Sequence, residues 1–242
     1  SSGIAAFIAL VISLWVVIPT PNKVNDVIIT ESSFSTGSSY ILPDGSKSFL
    51  NVGSEIIYPN HFSSDIRRVE FTGEAYFDIA HDPNHPFLIE SGNVRVKVLG
   101  TSFNLTNNPD SDEITIFLET GKVLFYSVDK ESNNILDQVI LLPGEKGVYN
   151  KVDGSISKFN FSSNNYLAWK TGTLNFVNAP LEDVISTIEN TFQIDVKSKF
   201  SLENFHLTAR YQNETSESIL QSLKVIYGFD YVVDGNNVTI KK

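Results

Sequence analysis

The residues most suggestive of chemistry are Asp78, His81, Asp82 and His85, spaced D-x-x-H-D-x-x-H. On a helix, His81 and His85 would share one face, as a two-histidine metal site requires. Pro83 lies between them and Pro86 follows, and proline removes a helical N–H and crowds the turn before it. The cluster therefore reads as a polar loop between strands, with a surface metal site as the sharper alternative. Asp110, Asp112 and Glu113 sit beside Asn107, Asn108 and Pro109. That is a solvated loop, without the paired carboxylates that glycoside hydrolysis needs. Gly100-Thr101 ends the run VRVKVL, and there glycine reads as a turn before SFNL. No nucleophile elbow, phosphate-binding loop or dinucleotide fingerprint is present. The absence of cysteine excludes disulfides, thiolate metal sites and cysteine nucleophiles. The expectation is a non-enzyme with no cofactor and no metal.

The elements that would position these residues fall into four segments. Residues Ile4 to Ile18 carry no charge and one polar residue, Ser13. Counted over 1–20, the stretch approaches the roughly 30 Å that a helix must span in a bilayer. Trp15 lies near its end, and Pro19 and Pro21 stop it. A retained transmembrane helix fits better than a cleaved signal peptide, which would need a basic start and a small-residue cleavage site. A buried core helix is the other alternative. The chain has no methionine, so it reads as a fragment whose upstream part is missing. Residues 21–39 are polar and read as a linker.

From 40 to 162 the pattern is period two, with breaks at Pro43-Asp44-Gly45, Gly73, Gly100, Gly121 and Pro143-Gly144. Val69 and Phe71, then Ala75, Phe77 and Ile79, then Val94, Val96 and Val98 alternate with polar residues. The expected fold is all-β, two layers around one core. At Trp169 the pattern changes. Leu181, Val184, Ile185, Ile188 and Phe192 mark one helical face, and Ile219, Leu220, Leu223, Ile226 and Tyr227 a second. Thr215 or Ser216 caps the second helix and Gly228 ends it. Short strands lie between, and Asp234-Gly235-Asn236 closes a final hairpin. Residues 165–242 thus read as a small α+β domain of order β-α-β-β-α-β-β. The chain has 41% hydrophobic residues, enough for a real core, and a formal net charge of −10. It lacks the basic footprint of a nucleic-acid binder.

Several phrases in order resemble a known family: LPDGS (Leu42 to Ser46), LNVGSEIIYP (Leu50 to Pro59), GEAYFDI (Gly73 to Ile79), VLGTSFNL (Val98 to Leu105) and LLPGEKGVY (Leu141 to Tyr149). They look like the periplasmic domain of the FecR-like anti-sigma factors, the ferric-citrate-type sensors. GTLNFVNAPLEDVISTIENTF (Gly172 to Phe192) resembles the secretin/TonB short N-terminal domain, which follows the FecR-like domain in Bacteroidota-type relatives.

The resemblance implies a single-pass inner-membrane protein with residues after about 20 in the periplasm. Its missing cytoplasmic part would hold an extracytoplasmic-function sigma factor. Its C-terminal domain would contact the signalling domain of an outer-membrane TonB-dependent receptor, and regulatory proteases would release the sigma factor. Some relatives cut themselves at a Gly-Thr pair, which here would be Gly100-Thr101, by attack of the Thr101 hydroxyl on the Gly100 carbonyl. A small domain with few strands should leave edges open to a partner strand. The expected edges are Phe205, Leu207, Thr208, Ala209 and Tyr211, and the hairpin with Tyr231, Val238 and Thr239. A carbohydrate-binding cell-surface β-sandwich and a structural envelope protein are the alternative readings.

Overall fold

The structure, a computed structural model, describes residues 26–31, 38–62, 65–161 and 165–242. Among them no helix is long and apolar enough to cross a membrane. The segment read as a membrane helix, 1–20, lies outside the described residues.

Among the described residues the first domain holds thirteen strands: β1 (Asp26–Glu31), β2 (Ser38–Ile41), β3 (Lys47–Leu50), β4 (Ser54–Pro59), β5 (Arg67–Asp78), β6 (Phe87–Ser91), β7 (Val94–Val98), β8 (Ser102–Asn107), β9 (Glu113–Thr120), β10 (Val123–Val128), β11 (Ile135–Leu141), β12 (Glu145–Asn150) and β13 (Ile156–Asn160). One layer runs β1-β4-β5-β6-β7-β10-β11 and the other β2-β3-β5-β8-β9-β12-β13. Strand β5 belongs to both. Its first half pairs with β4 and β6, and its second half with β3 and β8. Alternate residues of both layers meet in one core that includes Phe77, Phe87, Phe103 and Phe125, none of them solvent-exposed. This is the two-layer all-β arrangement that the alternation implies.

Two local readings need correction. Residues 26–31, placed in a linker, form β1, antiparallel to β4. Gly73 does not separate two strands. It bends a single twelve-residue strand from one layer to the other. Its φ is +99°, and a Cβ there would lie 2.6 Å from the Ser54 Cα. Ser54 Oγ donates to the Glu74 carbonyl at 2.8 Å and accepts from the Glu74 N–H at 2.8 Å, which fixes the bend.

The second domain begins with a 3-10 turn, Asn165–Leu167, and α1 (Ala168–Thr171). It continues with β14 (Thr173–Pro180), α2 (Leu181–Phe192), β15 (Asp195–Ser198), β16 (His206–Gln212), α3 (Ser216–Tyr227), β17 (Asp230–Asp234) and β18 (Asn237–Lys241). The Thr215 hydroxyl accepts from the Ser218 N–H at 3.1 Å, and Gly228 takes a left-handed cap, as the sequence implies. The apolar faces of α2 and α3 pack on a separate core with Leu174, Phe176, Leu207, Val238 and Ile240. The strands form two small sheets, β14-β16 and β15-β18-β17.

The expected edge residues divide accordingly. Phe205 precedes β16. Leu207, Thr208, Ala209 and Tyr211 lie on β16, which among the described residues pairs with β14 alone. Tyr231 lies on β17, an edge strand. Val238 and Thr239 lie on β18, which is central: it pairs antiparallel with β17 and parallel with β15. Both backbone sides of β18 are used, so it cannot accept a strand. The edges of that sheet are β15 and β17.

Candidate functional site

The outer face of the second layer carries an unusual row of side chains. Register places Phe49 (β3) opposite Tyr76 (β5), Tyr76 opposite Asn104 (β8), Asn104 opposite Phe117 (β9), and Phe117 opposite Lys146 (β12). Outward positions on an exposed sheet are normally polar. Here three of the five are aromatic, and Tyr76 and Asn104 are buried.

The cover is the segment that opens the second domain. Lys170 sets its Nζ 3.6 Å from the centre of the Tyr76 ring and 4.3 Å from that of Phe49. Trp169 is buried, and its Nε1 donates to Asn104 Oδ1 at 3.3 Å. Tyr166 stacks on Phe117 with centroids 5.0 Å apart, and Phe161 packs beside it at 4.5 Å. Three side chains of one short segment thus sit over successive members of one cross-strand row.

The charges beneath are arranged to match. Asn104 Nδ2 donates to Glu74 Oε1 at 3.0 Å, and Asn51 Nδ2 donates to Glu74 Oε2 at 2.8 Å. Burial pushes the Glu74 carboxyl above its ordinary range, against the lowering effect of hydrogen bonds from Asn104, Asn51 and Thr106. Tyr76 donates to Glu119, and burial followed by that carboxylate raises its hydroxyl. Burial lowers the Lys170 ammonium, while Glu119 and Asp78 oppose the shift. This is a contact surface between domains.

The Gly100-Thr101 pair lies at the entry to β8. Thr101 and Ile79 exchange backbone bonds of 3.3 and 3.0 Å, and Thr101 is 3% exposed. A Cβ on Gly100 would meet His81 Cα and Nδ1, each at 2.6 Å. Glycine is required there by that close approach. The Thr101 hydroxyl donates to the Lys122 carbonyl at 3.3 Å. A carbonyl oxygen is not a general base, so this hydrogen bond does not activate the hydroxyl.

Asp78 ends β5, and the rest of the D-x-x-H-D-x-x-H stretch is a loop between β5 and β6, in keeping with the prolines. His85 Nδ1 meets Asp82 Oδ2 at 2.7 Å, while His81 turns to Gly100. Among the described residues no group of three or more His, Asp or Glu is placed to hold a metal ion. Asp110 and Asp112 lie in the exposed β8–β9 loop, and Glu113 opens β9.

Sequence reasoning passed over Glu74, Asn104, Tyr166 and Lys170, and used Trp169 only to mark the boundary. A signal was available. Phe49 and Phe117 fall on the polar phase of their strands, where an aromatic residue implies a second covering layer.

Comparison with known proteins places the chain. The family model described as FecR protein matches residues 32–124. The model described as FecR, C-terminal matches residues 173–240. Two crystal structures of a candidate anti-sigma factor from Parabacteroides distasonis ATCC 8503 are similar, each with a TM-score of 0.68 and 28% identity. The matches cover 90% and 89% of this chain and 99% of that one. No curated protein matches. The fold is a two-layer β domain followed by a small α+β domain, and the chain belongs to the FecR family.

Proposed function

We propose that this chain is the sensor region of an anti-sigma factor. In this reading it relays the state of an outer-membrane TonB-dependent receptor to an extracytoplasmic-function sigma factor. Residues 1–20 anchor it in the inner membrane, and the two domains lie in the periplasm. A cytoplasmic segment upstream holds the sigma factor, and regulatory proteases release it. The C-terminal domain, which resembles the secretin/TonB short N-terminal type, meets the receptor's signalling domain.

The observation that carries this reading is that both FecR models match the chain in order, one on each domain. Open strands give the second domain a place for the receptor contact, as the terminal strands β1, β2, β11 and β13 also do for the first. Strands β14, β15, β16 and β17 each pair on one side among the described residues. Strands β16 and β17 so keep N–H and C=O groups available for an added strand, whereas Asn165 holds both outward backbone groups of Asn175 on β14 and Glu189 accepts from the Val196 N–H on β15. The deciding experiment is a pull-down of this chain against isolated signalling domains of TonB-dependent receptors from the same cell. Capture that disappears when 165–242 is deleted supports the assignment. Failure to capture any signalling domain contradicts the sensor reading, and capture that survives the deletion moves the contact to the β domain.

A further inference from the structure

The segment 165–171 is built into the second domain and only laid upon the first. On the second-domain side, Ala168 is buried in the core. Asn165 exchanges two hydrogen bonds with the Asn175 backbone, at 2.8 and 3.0 Å. Gly172 ends α1 in the left-handed region with φ +65°, and its carbonyl accepts from the Asn213 N–H at 2.7 Å. A side chain on Gly172 would run into Asn213 Oδ1, so the segment's exit is fixed as well.

On the β-domain side the contacts are of another kind. They include one hydrogen bond of 3.3 Å, one ammonium over two rings and near the Glu119 and Asp78 carboxylates, and one aromatic stack. The interface is also gapped on both sides of Trp169. A solvent-open cleft of about 430 Å³ lies between Asn51, Val52, Trp169, Gln193 and Tyr211. Another of about 660 Å³ separates Glu74 and Phe117 from Thr187 and Asn190. Both clefts open to solvent, so the flanks of the segment are not packed against the β domain.

We propose that Tyr166, Trp169 and Lys170 form a releasable latch. The latch moves with the second domain and engages the row Phe49–Tyr76–Asn104–Phe117 in one of two arrangements. In the docked arrangement Trp169 is enclosed and the domains are held at one angle. In the released arrangement both domains stay folded, and Trp169, Tyr166 and the aromatic row meet solvent. Anything that binds one arrangement better shifts the balance by its difference in affinity. The latch is a property of this chain and stands whatever partner the second domain meets.

The chain contains two tryptophans, Trp15 and Trp169, so the full chain carrying Trp15→Phe reports on the latch alone. In that background Trp169 should emit at short wavelength and resist quenching by acrylamide. The double variant Tyr166→Ala/Lys170→Ala should shift the emission to the red and increase quenching. Small-angle scattering should show a larger radius of gyration, while both domains keep their thermal transitions. Unchanged emission and unchanged radius in the folded variant would overturn the proposal. If the double variant loses either transition, Lys170→Ala alone decides by the same two readouts, because it removes the ammonium and its stem and leaves Tyr166 in place.

Discussion

Replacing Gly73 with alanine tests the bend that makes β5 serve two layers. The control is Gly45→Ala, at a turn where φ is +83° and a Cβ would meet nothing within 4 Å. A left-handed backbone costs an L-residue about 1–2 kcal/mol, and both variants bear that cost. At Gly73 the new Cβ would also lie 2.6 Å from Ser54 Cα. Overpacking of this kind adds about 1–3 kcal/mol. Relief requires Ser54 to move, which weakens its two hydrogen bonds to Glu74, each contributing about 0.5–1.5 kcal/mol. The sum is about 3–8 kcal/mol for Gly73→Ala against about 1–2 for the control. At roughly 4 °C per kcal/mol for a domain of this size, the control should melt roughly 4–8 °C lower and Gly73→Ala at least roughly 12 °C lower. Calorimetry of the two variants measures this, with the transition of residues 165–242 as an internal reference. If both variants melt within a few degrees of each other, the account of the bend is wrong.

Further outcomes follow from the same geometry. Glu74 has a raised carboxyl, so the folded chain holds its proton more tightly than the unfolded one. Its contribution to stability is therefore full below the unfolded value and falls as pH rises through the folded one. Urea titrations at pH 7 and pH 5 should show wild type gaining on Glu74→Gln as pH falls, and a constant or reversed difference would contradict this. If Gly100-Thr101 cuts itself, wild-type protein should appear by mass as two fragments held together by the fold. Thr101→Ala should then stay whole and Thr101→Ser should still cut; intact wild-type mass after long incubation removes the idea. Proline at Thr239 removes a ladder hydrogen bond from a strand paired on both sides and should destabilise the second domain. Near-ultraviolet dichroism should then report loss of tertiary structure in 165–242, and a native-like spectrum would show that β18 is not central.

Much of this fold is legible in the sequence, because burial on one face of a strand writes a period of two and burial on one face of a helix writes a period of 3.6. Phe77, Val96 and Ile188 sit inside for that reason. What escapes has physical causes. DVIITE lies beside a run of Ser and Thr without clean alternation, so β1 reads as linker. A glycine that bends a strand between layers reads the same as one that ends it, as at Gly73. The pairing of β15 with β18 joins residues about forty apart, and local turn signals carry no trace of it. Glu74 and Asn104 occupy the outward phase, where a polar residue looks solvated until another domain is laid over it. The Gly100-Thr101 pair is plain in the sequence, yet the closeness of His81 to Gly100 is a tertiary fact.

Hydrogen–deuterium exchange of this chain, with and without a receptor signalling domain that binds it, tests the central claim most directly. The account predicts added protection of amides in the C-terminal domain, on an open strand such as β16 (His206–Gln212) or β17 (Asp230–Asp234). The central strand β18 and the core of the β domain should exchange as before. Protection confined to residues 40–161, with none on 165–242, would contradict the account.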